Sequence, residues 1–204
     1  MRNLDTTEKT KQHFDEIATS YAESSDGKFC APAYNALKQE IEQCPNGKLL
    51  DVSCGTGTVL SILGQSPLEK YGVDFSEKMI EEARRILGSA AQLYVASAEA
   101  MPFEGGTFDV VTCSFAFHHY IHPAQVLQEF HRVMKPSATL IIADPYLPQP
   151  LRSLMNPLLR FSDNGDYHMY GHRELNLLMS KSGFQMDCFR LIDRRVFLCR
   201  CVAV

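Results

Sequence analysis

The 204-residue chain has no tryptophan, no CxxC pair, no block of basic residues and no long apolar run. Each absence removes a class of protein. Membrane spans need about 20 consecutive apolar residues, and none of the runs here comes near that length. Binding to duplex nucleic acid leans on clustered Lys and Arg, whereas the 20 basic residues here are scattered and outnumbered by 24 acidic ones. The seven cysteines, Cys30, Cys44, Cys54, Cys113, Cys188, Cys199 and Cys201, are odd in number and lack zinc-knuckle or thioredoxin spacing. They are expected to be buried, reduced thiols, Cys199 and Cys201 facing one side of a strand. The first residues, MRNLDTTEKTKQHF, are polar rather than signal-like, so a soluble cytoplasmic protein is expected.

What is present centres on Leu49-Leu50-Asp51-Val52-Ser53-Cys54-Gly55-Thr56-Gly57-Thr58-Val59-Leu60. An apolar run breaks at small residues and glycines and then resumes with helical spacing, which describes a buried strand turning sharply into a helix. Backbone N–H groups at such a turn favour a ligand's anionic group. Asp51 adds a negative charge at the strand's end, so the ligand should carry positive charge as well.

Strands and helices alternate along the rest of the chain. Helices are expected over 7–22 and 32–43, joined by a polar link at 23–30, and these could lie across the sheet's carboxyl edge as a lid. Strands are expected over 70–74, 92–96, 108–113 and 138–143, and helices over 77–87 and 124–134, with Ser76 as an N-cap. Helical crossovers of this length imply βαβ units, a parallel sheet and helices on both faces. Prolines 145, 148, 150 and 157 interrupt the rhythm, so residues 146–171 look like an insertion over the active face. A helix at 172–182 and strands at 184–191 and 195–204 close the chain. The expected organisation is one domain over 1–204: a helical lid at 1–45, a cofactor-binding core at 46–145, the insertion at 146–171 and a C-terminal part at 172–204.

Three ligands compete for the glycine turn. A P-loop needs a Lys after the glycines, and none follows. A dinucleotide fingerprint from Gly55 and Gly57 would put Leu60 where the third small residue belongs, with Asp51 opposing the pyrophosphate. In S-adenosylmethionine, the ammonium suits Asp51 and the carboxylate suits the turn's N–H groups. Asp74, ending the next strand, stands where a ribose-binding carboxylate belongs in such sheets.

LLDVSCGTG, YGVDFSEKMIEEAR, ASAEAMPFEGGTFDVVTCSFAFHH and VMKPSATLIIAD resemble, in the same order, the successive motifs of class I S-adenosylmethionine-dependent methyltransferases. The resemblance is nearest to the ubiquinone/menaquinone-biosynthesis type of small-molecule enzyme. It implies a Rossmann-like, doubly wound, mostly parallel seven-stranded α/β sheet with an antiparallel C-terminal strand. It also implies S-adenosyl-L-methionine as cofactor, S-adenosyl-L-homocysteine as product and a small-molecule methyl acceptor. By the same likeness Asp51, Ser53, Cys54, Gly55, Thr56 and Gly57 would hold the methionyl group, and Asp74 the ribose. Phe75, Met79, Ser97, Ala98 and Glu99 would surround the adenine, Ser114 and Phe115 would lie beside the methionyl end, and Tyr21 would close over the cofactor. Ser53 stands where such enzymes usually have Gly, and Ser97 where they usually have Asp. Ser53 fits the turn if its φ is negative. Ser97 loses a charge-assisted hydrogen bond to adenine. Weaker cofactor binding is expected, and a cofactor-binding pseudoenzyme or an NAD-dependent oxidoreductase remain as alternatives.

Methyl transfer is an in-line displacement governed by positioning, with a base needed only if the acceptor must lose a proton. His118 and His119, just after the fourth strand, are the catalytic candidates. His168 and His172, with Tyr167 and Tyr170, form a second group in or beside the insertion. An apolar acceptor lining is expected from Phe115, Phe117, Tyr146, Leu147, Met155 and Phe161. The spacing of the histidines and Asp144 shows no metal motif, so no metal site is expected. Ser114-Phe115-Ala116-Phe117 also differs from the Asn/Asp-Pro-Pro-Tyr-like motif of nucleic-acid-base and protein-glutamine amino methylation.

Overall fold

The computed structural model describes residues 2–44, 46–159, 161–162 and 164–204, with side chains described from residue 7 onward. Strands β1 (Lys48–Val52), β2 (Glu69–Asp74), β3 (Gln92–Val95), β4 (Phe108–Ser114), β5 (Met134–Pro145), β6 (Phe184–Leu191) and β7 (Val196–Ala203) form one sheet. Their order is β3-β2-β1-β4-β5-β7-β6. β1 to β5 pair in parallel, while β7 runs antiparallel to both β5 and β6. The expected sheet and its antiparallel C-terminal strand are therefore present.

Period-two alternation sorts the strand residues onto two faces. Leu49, Val110, Ile141 and Leu198 pack with Leu37, Ile41, Val59 and Leu60 of helices α3 (Tyr34–Ile41) and α4 (Thr58–Ile62). Their neighbours Leu50, Val111, Leu140, Ile142, Phe197 and Cys199 face the other way, against Phe130 of α6 (Pro123–Val133) and Met179 of α8 (His172–Lys181). A fully buried side chain such as Phe130 contributes about 1.5–3 kcal/mol. Cys199 and Cys201 share the second cluster, as expected of a strand. All seven cysteines are free thiols.

Helix α5 (Glu77–Leu87) starts where expected, because Ser76 Oγ accepts from Met79 N at 3.0 Å. The N-terminal region departs from expectation at 23–30. Helix α1 (Arg2–Ile17) gives way to a 3₁₀ turn at Ala18–Glu23, and the link forms a further helix, α2 (Ser25–Cys30). Ser24 caps α2 by accepting from Gly27 N, and Gly27 lies so close to the preceding turn that a Cβ there would sit 2.1 Å from the Tyr21 carbonyl oxygen. A lone glycine in a polar stretch reads as a break, yet here it is a close-packing contact. Within 146–171 a helix, α7 (Leu151–Leu159), carries Pro157 inside it.

Candidate cofactor and acceptor site

The strand order reverses between β1 and β4, leaving a crevice beyond the strands' carboxyl ends, where ligands of such sheets bind. A cavity of about 450 Å³ occupies it. Its wall takes Ser53, Cys54 and Gly55 after β1, Asp74 and Phe75 at β2, Ser97, Ala98 and Glu99 after β3, and Ser114 and Phe115 at β4. Met79 of α5 and Tyr21 complete the expected residues along it. Asp51, Thr56, Gly57 and His118 do not line it. The N-terminal region supplies Thr7, Thr10, Phe14, Tyr21 and Tyr34 to the wall.

Ser53 adopts φ +54°, so the condition under which it would fit the turn without strain is not met. A residue with a Cβ is disfavoured there. Its hydroxyl lies 2.8 Å from the Tyr120 hydroxyl, a contact that glycine cannot make. Phe115, at the matching exit of β4, also has φ +54°, its N–H donating to Ala143 O at 2.7 Å. Strained backbone thus flanks the cavity on both sides of the crevice.

The glycine turn is less of an open anion cradle than its sequence implies. Gly55 N donates to Asp74 Oδ2 at 2.9 Å, Cys54 N to Val73 O and Gly57 N to Cys54 O. The helix after it, α4, is five residues long. Its dipole is correspondingly small. One of the turn's donors, Gly55 N, thus holds the carboxylate of Asp74, which also accepts from Ser76 N at 2.9 Å.

Asp51 lies behind the wall, 1% exposed, its Oδ1 accepting from Thr112 Oγ1 at 2.7 Å. Its Oδ2 is buried without a hydrogen-bond partner, a state among the described residues shared only with Asp144 Oδ2. Burial, with only Thr112 opposing it, pushes the Asp51 carboxyl up to about 7, and burial against three backbone N–H donors sets Asp74 at about 6. Two buried acids with spare acceptor capacity fit a cationic group carrying hydroxyls.

The histidines separate. His119 lines the cavity, with the Phe14 ring edge-on at 5.5 Å. His118 is wedged between carboxylates, Nδ1 at 2.9 Å from Asp144 Oδ1 and Nε2 at 3.3 Å from Asp166 Oδ1. Burial alone would lower its pKa, but the two carboxylates outweigh it and hold His118 protonated up to about 10. Burial and the charged His118 push His119 down, leaving it neutral.

Several expected contributors lie elsewhere. His168 pairs with Glu174 at 2.7 Å, His172 packs on Phe189, and Tyr170 packs on Phe117 inside the core. Of the apolar lining expected, only Phe115 faces the cavity. Phe117 is fully buried and Phe161 is 72% exposed. None of the described residues of 146–171 lines the wall. That segment instead backs the histidines, Tyr167 N and His168 N both donating to His118 O at 2.9 Å. The actual lining adds Phe14, Tyr120, Ile121 and His122. Phe14 was legible as an apolar helix position but not as a wall residue.

Residues 50–142 match the methyltransferase domain family. The matched stretch, a little under half of the chain, runs from β1 into β5 and so takes in the strands that form the crevice. It is 36% identical over 122 residues to the ubiquinone/menaquinone biosynthesis C-methyltransferase UbiE of Geotalea uraniireducens, covering 56% of this chain and 52% of the relative. It is 30% identical over 155 residues to a demethylmenaquinone methyltransferase of Chlorobaculum parvum, covering 72% and 61%. The chain thus spans about half to three fifths of the length of these curated relatives. A chain from the Haloferax volcanii complex of the Trm112 methyltransferase activator with a methyltransferase superposes with a TM-score of 0.79 at 17% identity, covering 93% of this chain and 97% of that one. That likeness is one of fold. No helix among the described residues is long and apolar enough to cross a membrane.

Proposed function

We propose that the protein transfers a methyl group from S-adenosylmethionine to a small, partly apolar acceptor. The observation that carries the reading is Asp74 on the cavity wall, with the buried Asp51 and its unpartnered oxygen behind that wall. Asp51 would take the ammonium, Asp74 the ribose hydroxyls, and Phe75 and Met79 the adenine faces. When bound, the cofactor supplies an electrophilic methyl carbon on a positively charged sulfur.

The chain's own part is to hold the acceptor atom in line and keep water out. Phe14, Phe115 and Ile121 give the wall an apolar side suited to a flat, poorly hydrated molecule. The names of the curated relatives, which are quinone-pathway methyltransferases, agree with an acceptor of that character. His119 is the better-placed base: it is neutral and faces the cavity, whereas His118 holds its proton between two carboxylates and acts as a positioning residue.

Calorimetry with S-adenosylmethionine, S-adenosylhomocysteine and NAD tests the cofactor, and incubation of a metabolite pool with methyl-labelled cofactor tests the reaction. Binding of the first two and label in a small molecule are expected. Binding of NAD alone would overturn the reading.

A further inference from the structure

His118, His119 and Asp166 bring ligand atoms within 4.8 Å of one another. The separations are close to those a metal needs. Bonds of about 2.0–2.1 Å put tetrahedral ligand atoms about 3.3 Å apart. Here Asp166 Oδ1 is 3.3 Å from His118 Nε2 and 3.7 Å from His119 Nδ1. A second, independent feature stands behind them. The other ring nitrogen of His118 meets the fully buried Asp144, the carboxylate–histidine arrangement that orients metal-bound imidazoles. Asp144 keeps its Oδ2 unpartnered. The Asp166 side chain is 26% exposed, so ions have a way in.

We infer that His118, His119 and Asp166 form a two-histidine, one-carboxylate site for a divalent transition-metal ion, with Asp144 orienting His118. Three protein ligands leave positions open, as at catalytic rather than structural sites. His119 is shared with the cavity wall, so with metal bound it would serve as a ligand in place of the base role, and an oxygen anion of a bound molecule could complete the coordination there. This last point rests on the cavity being the acceptor site; the metal site itself does not.

Without metal, protons hold the same atoms together: His119 Nδ1 lies 3.1 Å from Gly165 O, and His118 bridges Asp144 and Asp166. Cation and proton compete for the same nitrogen lone pairs, so metal uptake should release protons.

The test is calorimetric titration of the chelator-treated full chain with Zn²⁺ in two buffers of different ionisation enthalpy. One equivalent bound with proton release is expected. His119→Ala and Asp166→Ala should abolish that equivalent, and Asp144→Asn should weaken it about 10–100-fold. Circular dichroism and S-adenosylhomocysteine binding of Asp166→Ala show whether that variant is folded; Asp166 does not line the cofactor cavity. A wild type that binds no Zn²⁺, or binds it equally well after these substitutions, overturns the site. Zinc held by cysteines would survive them and count against it. Acetohydroxamate, an oxygen chelator, should bind the zinc-loaded chain and not the zinc-free one. Zinc uptake without that response would leave the metal and remove its link to the cavity, independently of whether methyl transfer is found.

Discussion

Asp51 and Ser53 sit two residues apart and carry the two main chemical departures of this site. A carboxyl raised to about 7 is protonated in mild acid and charged above it, so cofactor affinity should rise with pH through 7. The expected gain from pH 6 to pH 8 is about tenfold, following the ionised fraction. In Asp51→Asn, calorimetry should give an affinity at least about tenfold lower and flat over the same range. An equally steep profile in the variant would place the titrating group elsewhere. Ser53 sets backbone strain of about 1–2 kcal/mol against its hydrogen bond to Tyr120. Ser53→Gly relieves the strain and loses the bond, leaving stability near that of the parent. Ser53→Ala loses the bond and keeps the strain, and urea denaturation should show it about 1–2 kcal/mol less stable than Ser53→Gly. The sequence marked Ser53 as atypical. Its positive φ was not legible, because that depends on Tyr120 arriving from across the crevice.

Ser76 ties helices α1 and α5 together. Ser76 Oγ accepts from Met79 N to cap α5 and donates to Asp15 Oδ1 of α1 at 2.5 Å. Ser76→Ala should therefore cost about 1–2 kcal/mol in a denaturant titration and also loosen the lid, seen as faster amide exchange in α1. Gly27→Ala separates the two effects. Its Cβ meets the Tyr21 carbonyl, so the turn carrying Tyr21 must shift while the sheet is untouched. Cofactor affinity should fall several-fold with the unfolding midpoint nearly unchanged; a large loss of stability instead would mean that α2 supports the core. The elements themselves were largely readable from periodicity and caps. The role of 146–171 was not, since its backbone bonds to His118 span distances that no local pattern encodes.

At the scale of the whole molecule, buried ionisable groups set the pH response of the cofactor-free protein. His118 has a folded pKa raised to about 10, so its stabilising contribution is complete below its unfolded value of about 6.5 and is lost as pH rises through 10. Asp51 and Asp74, raised to about 7 and about 6, remove further stability as pH climbs from about 4 through 7. Thermal melts should show the midpoint falling from mild acid toward pH 10, with Asp144→Asn flattening the alkaline part. A parent midpoint that is constant from pH 6.5 to 10 would refute the charged His118. Composition, strand–helix alternation and the order of motifs determined the α/β class, the parallel sheet and the crevice-edge residues Asp74, Phe75 and Ser114, because these follow from local periodicity and from where strands end. Tertiary structure alone decided that Asp51 keeps an unpartnered oxygen, that Phe14 rather than Phe161 faces the cavity, and that Asp166 meets His118 and His119. Those facts depend on chain segments far apart in sequence being packed together, and on water being excluded where they meet.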